Sequence, residues 1–494
     1  MNARSIAMAA LLGLCALASK AEAEPPGEVA ESDTYTIRIF YDISMVDDVP
    51  LMMAEAEAAW VDLVEGHQLS PPLTMFGDVV DVGFDVLLDT EIPGVGTYEV
   101  LGDSPDTAIT DCPTLAWFNP WAAPTEEMLT MTMHHLLARQ CLRAVDCIEP
   151  YKPAYDMFAV AYGYYYMGLD HPYWLSSELP AFQSMPWKSL DYVGASSDMD
   201  DVFYAYGSAL FALFLDEVYG AGDGALLNST WDRTAQDGTI LTWTGPFATA
   251  DVENEPDFLD AIAAELEEQS SSFDEAFLEF VEWRYFLGAD DDGAHSPSAA
   301  DWTGGEVTRD ILLAADDLPV EDKGCENRVA EYGSNYIEID VTALDPEVSL
   351  DFEFDGNPET SWWAGLFLIP EDGAATVQPF EMGDEFSGET SVGDPTAFSQ
   401  IVIAVANLSD GEHDGDAEQW GTATGDFTYS ITGPAGSDSD TDVDSDTDSD
   451  SDSDTDSDAG AEPTGSSNDG GCSCRAVDET SDVSLLALLT DTFM

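Results

Sequence analysis

The chain has 494 residues and carries 13 Lys and Arg against 99 Asp and Glu, a formal net charge of −86. Its length predicts more than one domain, and a hydrophobic fraction of 45% argues against wholesale disorder. So negative a chain repels nucleic-acid phosphates and anionic lipid headgroups, and we expect no nucleic-acid partner. The segment from Gly436 onward holds only 17 of the 99 acids, so the acidity belongs mainly to the body of the protein.

Residues 1–23 have the pattern of a signal peptide. Arg4 precedes a largely apolar run over residues 6–19, which is too short to span a bilayer. Ala21, Glu22 and Ala23 form a small-x-small cleavage site. We therefore expect export, with cleavage before Glu24.

Export favours disulfides among the first four cysteines of the mature chain. Six cysteines follow the cleavage site: Cys112, Cys141, Cys147, Cys325, Cys472 and Cys474. Three pairings of the first four are open. A zinc site made of four cysteines is the rival interpretation, but the sequence has no CxxC pair.

Residues 24–125 alternate between strand and helix patterns. Residues 34–43, 78–88 and 114–118 are typical of strands, whereas residues 51–65 are rich in Ala, Glu and Met with spaced apolar positions. These patterns predict an N-terminal α+β subdomain.

Residues 126–322 are predicted to form a mainly helical subdomain. Thr125 is the expected N-cap of a helix that reaches Arg143. Further helices are predicted over residues 155–166, 202–219, 256–268 and 273–286, and Gly220 is expected to end the second of these.

From residue 327 the hydrophobic period becomes two. Strands are predicted over residues 335–341, 348–354, 362–369, 400–406 and 426–431, so residues 323–435 should form an antiparallel β-sandwich. Residues 438–458 alternate Asp with Ser, Thr or Val and cannot bury a core, so residues 436–471 are predicted to be a disordered stalk. The predicted fold class is therefore α+β with several domains.

This order of elements resembles the secreted bacterial zinc metalloproteases of the gluzincin type known from myxobacteria. The helix ending near Gln140 stands where that family has its HExxHxxQ helix. The runs over residues 174–182, 206–220 and 332–336 are similar to the family's next two helices and to the start of its C-terminal sandwich. The resemblance implies a gluzincin-like body of mixed α/β and helical parts, followed by the sandwich and the stalk.

The zinc motif itself is degenerate. Two registers put other residues at its His, Glu and His positions: Met133, His134 and Leu137 in one, and His134, His135 and Ala138 in the other. Both registers lack the general base and the second imidazole that a zinc peptidase requires. Glu178 matches the family's third-ligand position. We therefore expect no zinc cofactor and a protein that has lost catalysis; the structural interpretation of His134 and His135 is two polar positions on a mostly apolar helix.

A calcium site is a second hypothesis. Four carboxylates alternate before a glycine-containing segment: Asp410, Glu412, Asp414 and Asp416. Hard Ca²⁺ binds several oxygens from a flexible loop. A solvated acidic loop explains the same pattern. A calcium-dependent adhesion module and an active hydrolase with a rearranged metal site are the two alternative functions.

The C-terminal residues 472–494 resemble a surface-sorting tail of the MYXO-CTERM type. Cys472 and Cys474 are the residues at which that resemblance implies processing or lipid attachment. The apolar run over residues 484–489 is too short to span a membrane. We expect an extracellular or cell-surface protein of a Gram-negative-type bacterium that binds an extracellular protein, peptide or polysaccharide.

Overall fold

The computed structural model describes residues 27–76, 79–92, 94–100, 113–146, 149, 153–190, 192, 199–235, 256–295, 301–309, 311–314, 317–322, 328–345, 348–358, 360–384, 386–408 and 424–433. Helices and β-sheets both contribute substantially to these residues. The α+β class predicted from the sequence is confirmed.

The N-terminal strands form a mixed sheet and a hairpin. Their bounds are β1 Glu28–Glu31, β2 Ile37–Tyr41, β3 Leu73–Phe76, β4 Val79–Val82, β5 Phe84–Leu88, β6 Gly96–Val100 and β7 Thr114–Phe118. The mixed sheet has the order β1-β2-β5-β7-β6, with β2, β5 and β7 parallel and both edge strands antiparallel. Strand β5 is buried at all five positions, as a central strand covered on both faces should be.

The helices pack against this sheet and continue the chain. Their bounds are α1 Val49–Trp60, α2 Glu126–Val145, α3 Pro153–Met167, α4 Leu179–Ser184, α5 Met199–Gly207, α6 Ala209–Val218, α7 Ala225–Arg233, α8 Phe258–Glu268 and α9 Phe273–Tyr285. Wider π-helical turns extend α1 over Val61–Gly66 and lead into α4 over Trp174–Glu178. Pro180 lies in the first turn of α4, where a missing N–H costs little.

The prediction of a single helix over residues 202–219 is wrong, because the helix is interrupted at Ser208, between α5 and α6. The Ser208 hydroxyl donates to the carbonyl of Ala205 at 2.6 Å. Gly207 lies so close to the carbonyl of Glu178 that a Cβ would be 2.1 Å from that oxygen. The apolar pattern continues through the interruption, since residues 207–216 are all buried, and so the pattern does not reveal it.

The C-terminal strands form two sheets that pack face to face. Their bounds are β8 Ile311–Ala314, β9 Val320–Asp322, β10 Arg328–Ala330, β11 Ser334–Asp340, β12 Leu350–Gly356, β13 Ser361–Ile369, β14 Thr376–Pro379, β15 Glu381–Asp384, β16 Ser387–Val392, β17 Gln400–Leu408 and β18 Thr424–Thr432. The inner sheet has the order β14-β13-β17-β11-β8. The outer sheet has the order β10-β18-β12-β16-β15, with β9 also paired to β18.

The two sheets share one apolar core, and the inner sheet also packs on the helices. Phe352 of the outer sheet and Ile403 of the inner sheet belong to the same buried cluster. On the opposite face of the inner sheet, Phe367 contacts Tyr285 and Phe286 with ring centroids 5.4 and 5.5 Å apart. The inner sheet is therefore buried on both faces, whereas the outer sheet presents one face to solvent.

Each of the five strands predicted for this region is present within one or two residues of its expected bounds. The prediction missed the short strands β8, β9, β10, β14, β15 and β16, several of which are polar and lie at or near sheet edges. Within the described ranges, none of the helices combines the length and the apolar character needed to cross a membrane.

Candidate functional site

Helix α2 carries the histidines of the degenerate zinc motif. The Thr125 hydroxyl accepts a hydrogen bond from the backbone N–H of Met128 at 3.2 Å, which confirms the predicted N-cap. Residues three or four positions apart share a face of a helix. Met133 and Leu137 consequently lie together, and their side chains are buried in the apolar core with the neighbouring Ala138.

His134 lies on a fully buried face of α2. Its Nδ1 is 3.0 Å from the carbonyl of Thr130, which assigns the ring proton to this nitrogen. The ring stacks on Tyr166 with centroids 3.9 Å apart. Burial lowers the pKa of His134 to about 4, so the ring is neutral at pH 7.

Asp62, which follows α1, lies between His134 and a second histidine. The Nε2 atoms of His134 and His67 are 3.9 and 4.0 Å from the two carboxylate oxygens of Asp62. The Nδ1 of His67 is 2.9 Å from the carbonyl of Asp223, so both rings turn Nε2 toward the carboxylate. These separations are too long for direct hydrogen bonds. The sequence pattern did not indicate that His67 and Asp62 belong near α2.

His135 and Arg139 point to a different side of α2 and converge on Asp156 of α3. His135 Nε2 is 3.2 Å and Arg139 Nη1 is 2.8 Å from the same oxygen, Asp156 Oδ1. Arg139 Nη2 also donates to the Tyr98 hydroxyl at 2.8 Å. Burial alone would lower the pKa of Arg139, but the negative charge of Asp156 and the Tyr98 hydroxyl outweigh this and raise the pKa above its ordinary value, so the guanidinium stays charged.

Glu178 faces this cluster from the start of α4. It is 2% exposed, and its Oε2 lies 3.7 Å from His171 Nδ1, which accepts the backbone N–H of Trp174 at 3.1 Å. Burial, followed by repulsion from Asp156, raises the pKa of Glu178 to about 8. Burial and the nearby His135 lower the pKa of His171 to about 3. At pH 7 the pair is a protonated carboxyl group beside a neutral imidazole.

The charges of this polar cluster are balanced by its own members, which are His135, Arg139, Asp156, His171 and Glu178. Arg139 supplies a permanent positive charge beside Asp156, and Glu178 retains its proton. In the part of the chain that the structure describes, no three His, Cys, Asp or Glu side chains are arranged to hold a metal ion. His135 and Arg139 lie one helical turn apart on α2, a spacing that is readable from the sequence but that neither of the two predicted registers uses.

The remaining candidate residues are either enclosed or outside the described ranges. Cys141 is a free thiol inside α2; burial in the apolar core raises its pKa, and the disulfide expected there is not formed. The other predicted disulfide, calcium and sorting residues lie outside the described residues: Cys112, Cys147, Cys325, Asp410, Glu412, Asp414, Asp416, Cys472 and Cys474. The same holds for residues 1–26 and for everything after residue 433.

The solvent-exposed face of the outer sheet contains an open groove of about 700 Å³. Glu353, Asp355, Glu381 and Glu389 line it with four carboxylates, and Ser430 donates to Glu353 at 3.0 Å. Of the described residues that line the groove, none is Lys or Arg. We call this surface the acidic groove.

Comparison with known proteins leaves the family open. No protein-family model matches the chain, and no curated protein matches it. Among solved structures, the chain is similar to one described as Family 16 Carbohydrate Binding Module-2, with 16% identity, 22% of this chain and 73% of that chain covered, and a TM-score of 0.14. A similarity at that TM-score supports neither a fold nor a ligand for this protein.

Proposed function

We propose that this protein is an exported, surface-associated binding protein with a metalloprotease-like body that no longer hydrolyses peptides. The observation that carries the proposal is the 2.8 Å contact between Arg139 and Asp156 beside the buried Glu178. A zinc hydrolase activates a metal-bound water with a carboxylate base. On this face of α2 a guanidinium stands one helical turn after His135, and its fixed charge opposes the entry of a dication.

The contacts within the cluster favour the ion pair of Arg139 with Asp156 over the binding of a metal ion. Arg139 is held by Asp156, by the Tyr98 hydroxyl and by the face of the Tyr98 ring, 4.5 Å from the guanidinium carbon. Displacing it would leave the largely buried Asp156 carboxylate without its permanent cation, which is unfavourable. A metal ligand must also be deprotonated, whereas burial keeps the proton on Glu178 at neutral pH.

The finer architecture and the location are part of the same proposal. The succession of mixed sheet, helices and sandwich is similar to the gluzincin body. The signal-like residues 1–23 and the tail with Cys472 and Cys474 support export and attachment at the outer surface. The partner is an extracellular protein, peptide or polysaccharide.

Metal analysis and a peptidase assay on the purified secreted protein test the loss of catalysis. After dialysis against a zinc solution, we expect less than one bound zinc ion per protein molecule. We also expect no chelator-sensitive cleavage of casein. Arg139→His restores an imidazole one turn after His135, so we expect this variant to acquire zinc near Glu178. Arg143→His, one turn further along α2, is the matched control and should not.

Two results would overturn the proposal. Stoichiometric zinc with chelator-sensitive casein cleavage in the unaltered protein would establish the active hydrolase with a rearranged site. Calcium-dependent melting without zinc, together with calcium-dependent adhesion, would favour the adhesion module instead. Failure of Arg139→His to gain zinc would refute the specific placement of the degenerate site at His135 and Glu178.

A further inference from the structure

The groups that face one another around Asp62 are all hydrogen-bond acceptors. Nε2 of His134 and Nε2 of His67 lie 3.9 and 4.0 Å from the two oxygens of the Asp62 carboxylate. Each ring has its Nδ1 within hydrogen-bond distance of a backbone carbonyl, at 3.0 Å for His134 and 2.9 Å for His67. In a neutral ring this contact fixes the proton on Nδ1, so Nε2 presents a lone pair to the carboxylate.

This arrangement lacks a donor. His134 is fully buried, and neither its Nε2 nor Oδ2 of Asp62 has a hydrogen-bond partner among the described residues. A buried acceptor without a partner is destabilising. Burial also raises the pKa of the Asp62 carboxyl, because its charged form is poorly solvated there. A ligand that brings positive charge together with N–H donors would satisfy all three groups.

The spacing of the acceptors fits an ammonium group better than a metal ion. Ligands of a tetrahedral zinc ion with bonds of about 2.1 Å lie about 3.4 Å apart, closer than the 3.9 and 4.0 Å found here. Among the described residues, no three His, Cys, Asp or Glu side chains are arranged to hold a metal ion. A primary ammonium has three N–H donors and no acceptor. With hydrogen bonds of about 2.9 Å, acceptors 3.9 Å apart subtend about 90° at its nitrogen, which is near the tetrahedral angle.

The acceptors are reached from solvent beside Tyr166. This tyrosine is 44% exposed and stacks on His134 with ring centroids 3.9 Å apart, and the Asp62 side chain is 22% exposed. Burial, followed by the charges of Glu55 and Asp62, raises the pKa of Tyr166, so two carboxylates lie near its phenol. An aromatic ring with acids beside it attracts a cation.

We propose that His134, His67 and Asp62 form a binding site for a primary ammonium group of an extracellular peptide. The proposal rests on the binding role proposed above and names the chemical group that is recognised. The ammonium donates to the two Nε2 atoms and to the carboxylate, whose charge it neutralises. Two sources share this chemistry, the side chain of a lysine and the free amino terminus of a peptide. The one lysine among the described residues, Lys188, is 2.7 Å from Asp201, so the described part of this chain does not supply the cation.

Titration of the full secreted chain with n-butylammonium at pH 7.5 tests the site. The readout is the NMR signal of histidine Cε1 in protein labelled with carbon-13 at that atom, since the chain has only six histidines. We expect the signals of His134 and His67 to shift and to saturate. Asp62→Asn keeps the shape and removes the charge, so it should weaken binding about tenfold. The control Glu65→Gln removes an exposed acid from the same turn and should change binding less than twofold.

A second variant keeps the test decisive if Asp62→Asn does not fold. His67→Phe retains an aromatic ring against Tyr162 and Tyr165 and removes one acceptor, so it should also weaken binding of n-butylammonium. Tetramethylammonium has the same charge but no N–H donor, so it should bind the unaltered protein about tenfold more weakly than n-butylammonium. Melting temperatures establish which variants are folded.

Several outcomes would overturn the proposal. They are histidine signals that do not move, equal binding of the two cations, and equal affinities of the folded acceptor variants and Glu65→Gln. Nα-acetyl-lysine amide and the peptide amide Gly-Ser-Ser distinguish the two sources of the ammonium, and binding of neither would also overturn the proposal. Chelator-sensitive cleavage of casein would refute the loss of catalysis without moving these histidine signals, so the two proposals fail separately.

Discussion

Replacing Glu178 by Gln should remove a large part of the pH dependence of folding. The wild-type carboxyl group is buried, and burial together with Asp156 raises its pKa to about 8 from an ordinary value of 4.5. Its Oε2 has no hydrogen-bond partner among the described residues. Gln has nearly the same shape as the protonated acid and cannot ionise, so Glu178→Gln should fold normally.

The sign follows from the raised pKa. The folded state keeps the proton up to about pH 8, while the unfolded chain releases it above pH 4.5, so this group's contribution to stability is complete below pH 4.5 and is lost as pH rises toward 8. At about 1.4 kcal/mol per pKa unit, the loss amounts to roughly 5 kcal/mol. That is comparable to the whole stability of a small domain.

Chemical denaturation at pH values from 5 to 9 measures the effect as a difference between variant and wild type. The two proteins should have nearly equal free energies of unfolding at pH 5, and the variant should become the more stable by several kcal/mol at pH 9. His134 and His171, whose pKa values are lowered, contribute an opposite slope below pH 6.5 that is common to both proteins. Glu267→Gln, on an exposed position of α8, is the control and should show no growing difference.

A constant difference between wild type and Glu178→Gln across this range would refute the reasoning. It would mean that the carboxyl group ionises normally in the folded protein. A cation bound beside Glu178 would have this consequence, because it would replace the proton. The experiment therefore also bears on the proposed loss of the metal site.

Further variants test the packing around α2 and α5. Arg139→Met should cost about 3–5 kcal/mol by leaving the largely buried Asp156 carboxylate without its permanent cation, whereas Arg328→Met, at an exposed pair, should stay within about 1 kcal/mol; denaturant titration measures both. Gly207→Ala should cost about 1–3 kcal/mol or more because its Cβ would meet a carbonyl at 2.1 Å, while Gly393→Ala, with nothing within 4 Å, should be close to neutral; equal melting temperatures would contradict this. Thr125→Ala should cost about 1 kcal/mol by removing the N-cap of α2, and an unchanged unfolding midpoint would show that the cap contributes nothing.

Regular periodicity was sufficient to predict the long elements. The alternating residues of β12, the apolar runs of β13 and β17 and the capped start of α2 are present close to where the sequence places them, since local hydrophobic pattern and tertiary burial agree there. Two kinds of feature were not predicted from this periodicity. The break at Ser208 lies inside a fully buried apolar run, and short strands such as β15 are polar edge segments held by their neighbours.

The candidate site was harder to predict because its partners come from distant segments. Asp156 reaches His135 and Arg139 from the following helix, and Asp62 reaches His134 from the segment after α1. Such contacts depend on how helices pack, which a single sequence does not specify. The side chains of adjacent residues in a helix point about 100° apart. His134 and His135 therefore belong to different clusters.

Burial, rather than composition, separates the roles of this protein's many acids. Glu178 and Glu353 are the same residue type, yet one is 2% exposed and stays protonated, whereas the other faces solvent in a row of like charges. Buried acids survive only when they are neutralised by a proton or by a cation such as Arg139, which removes them from the surface potential. Exposed acids keep their charge and set that potential. The four exposed carboxylates that line the acidic groove therefore contribute fully to the surface charge, whereas Glu178 does not.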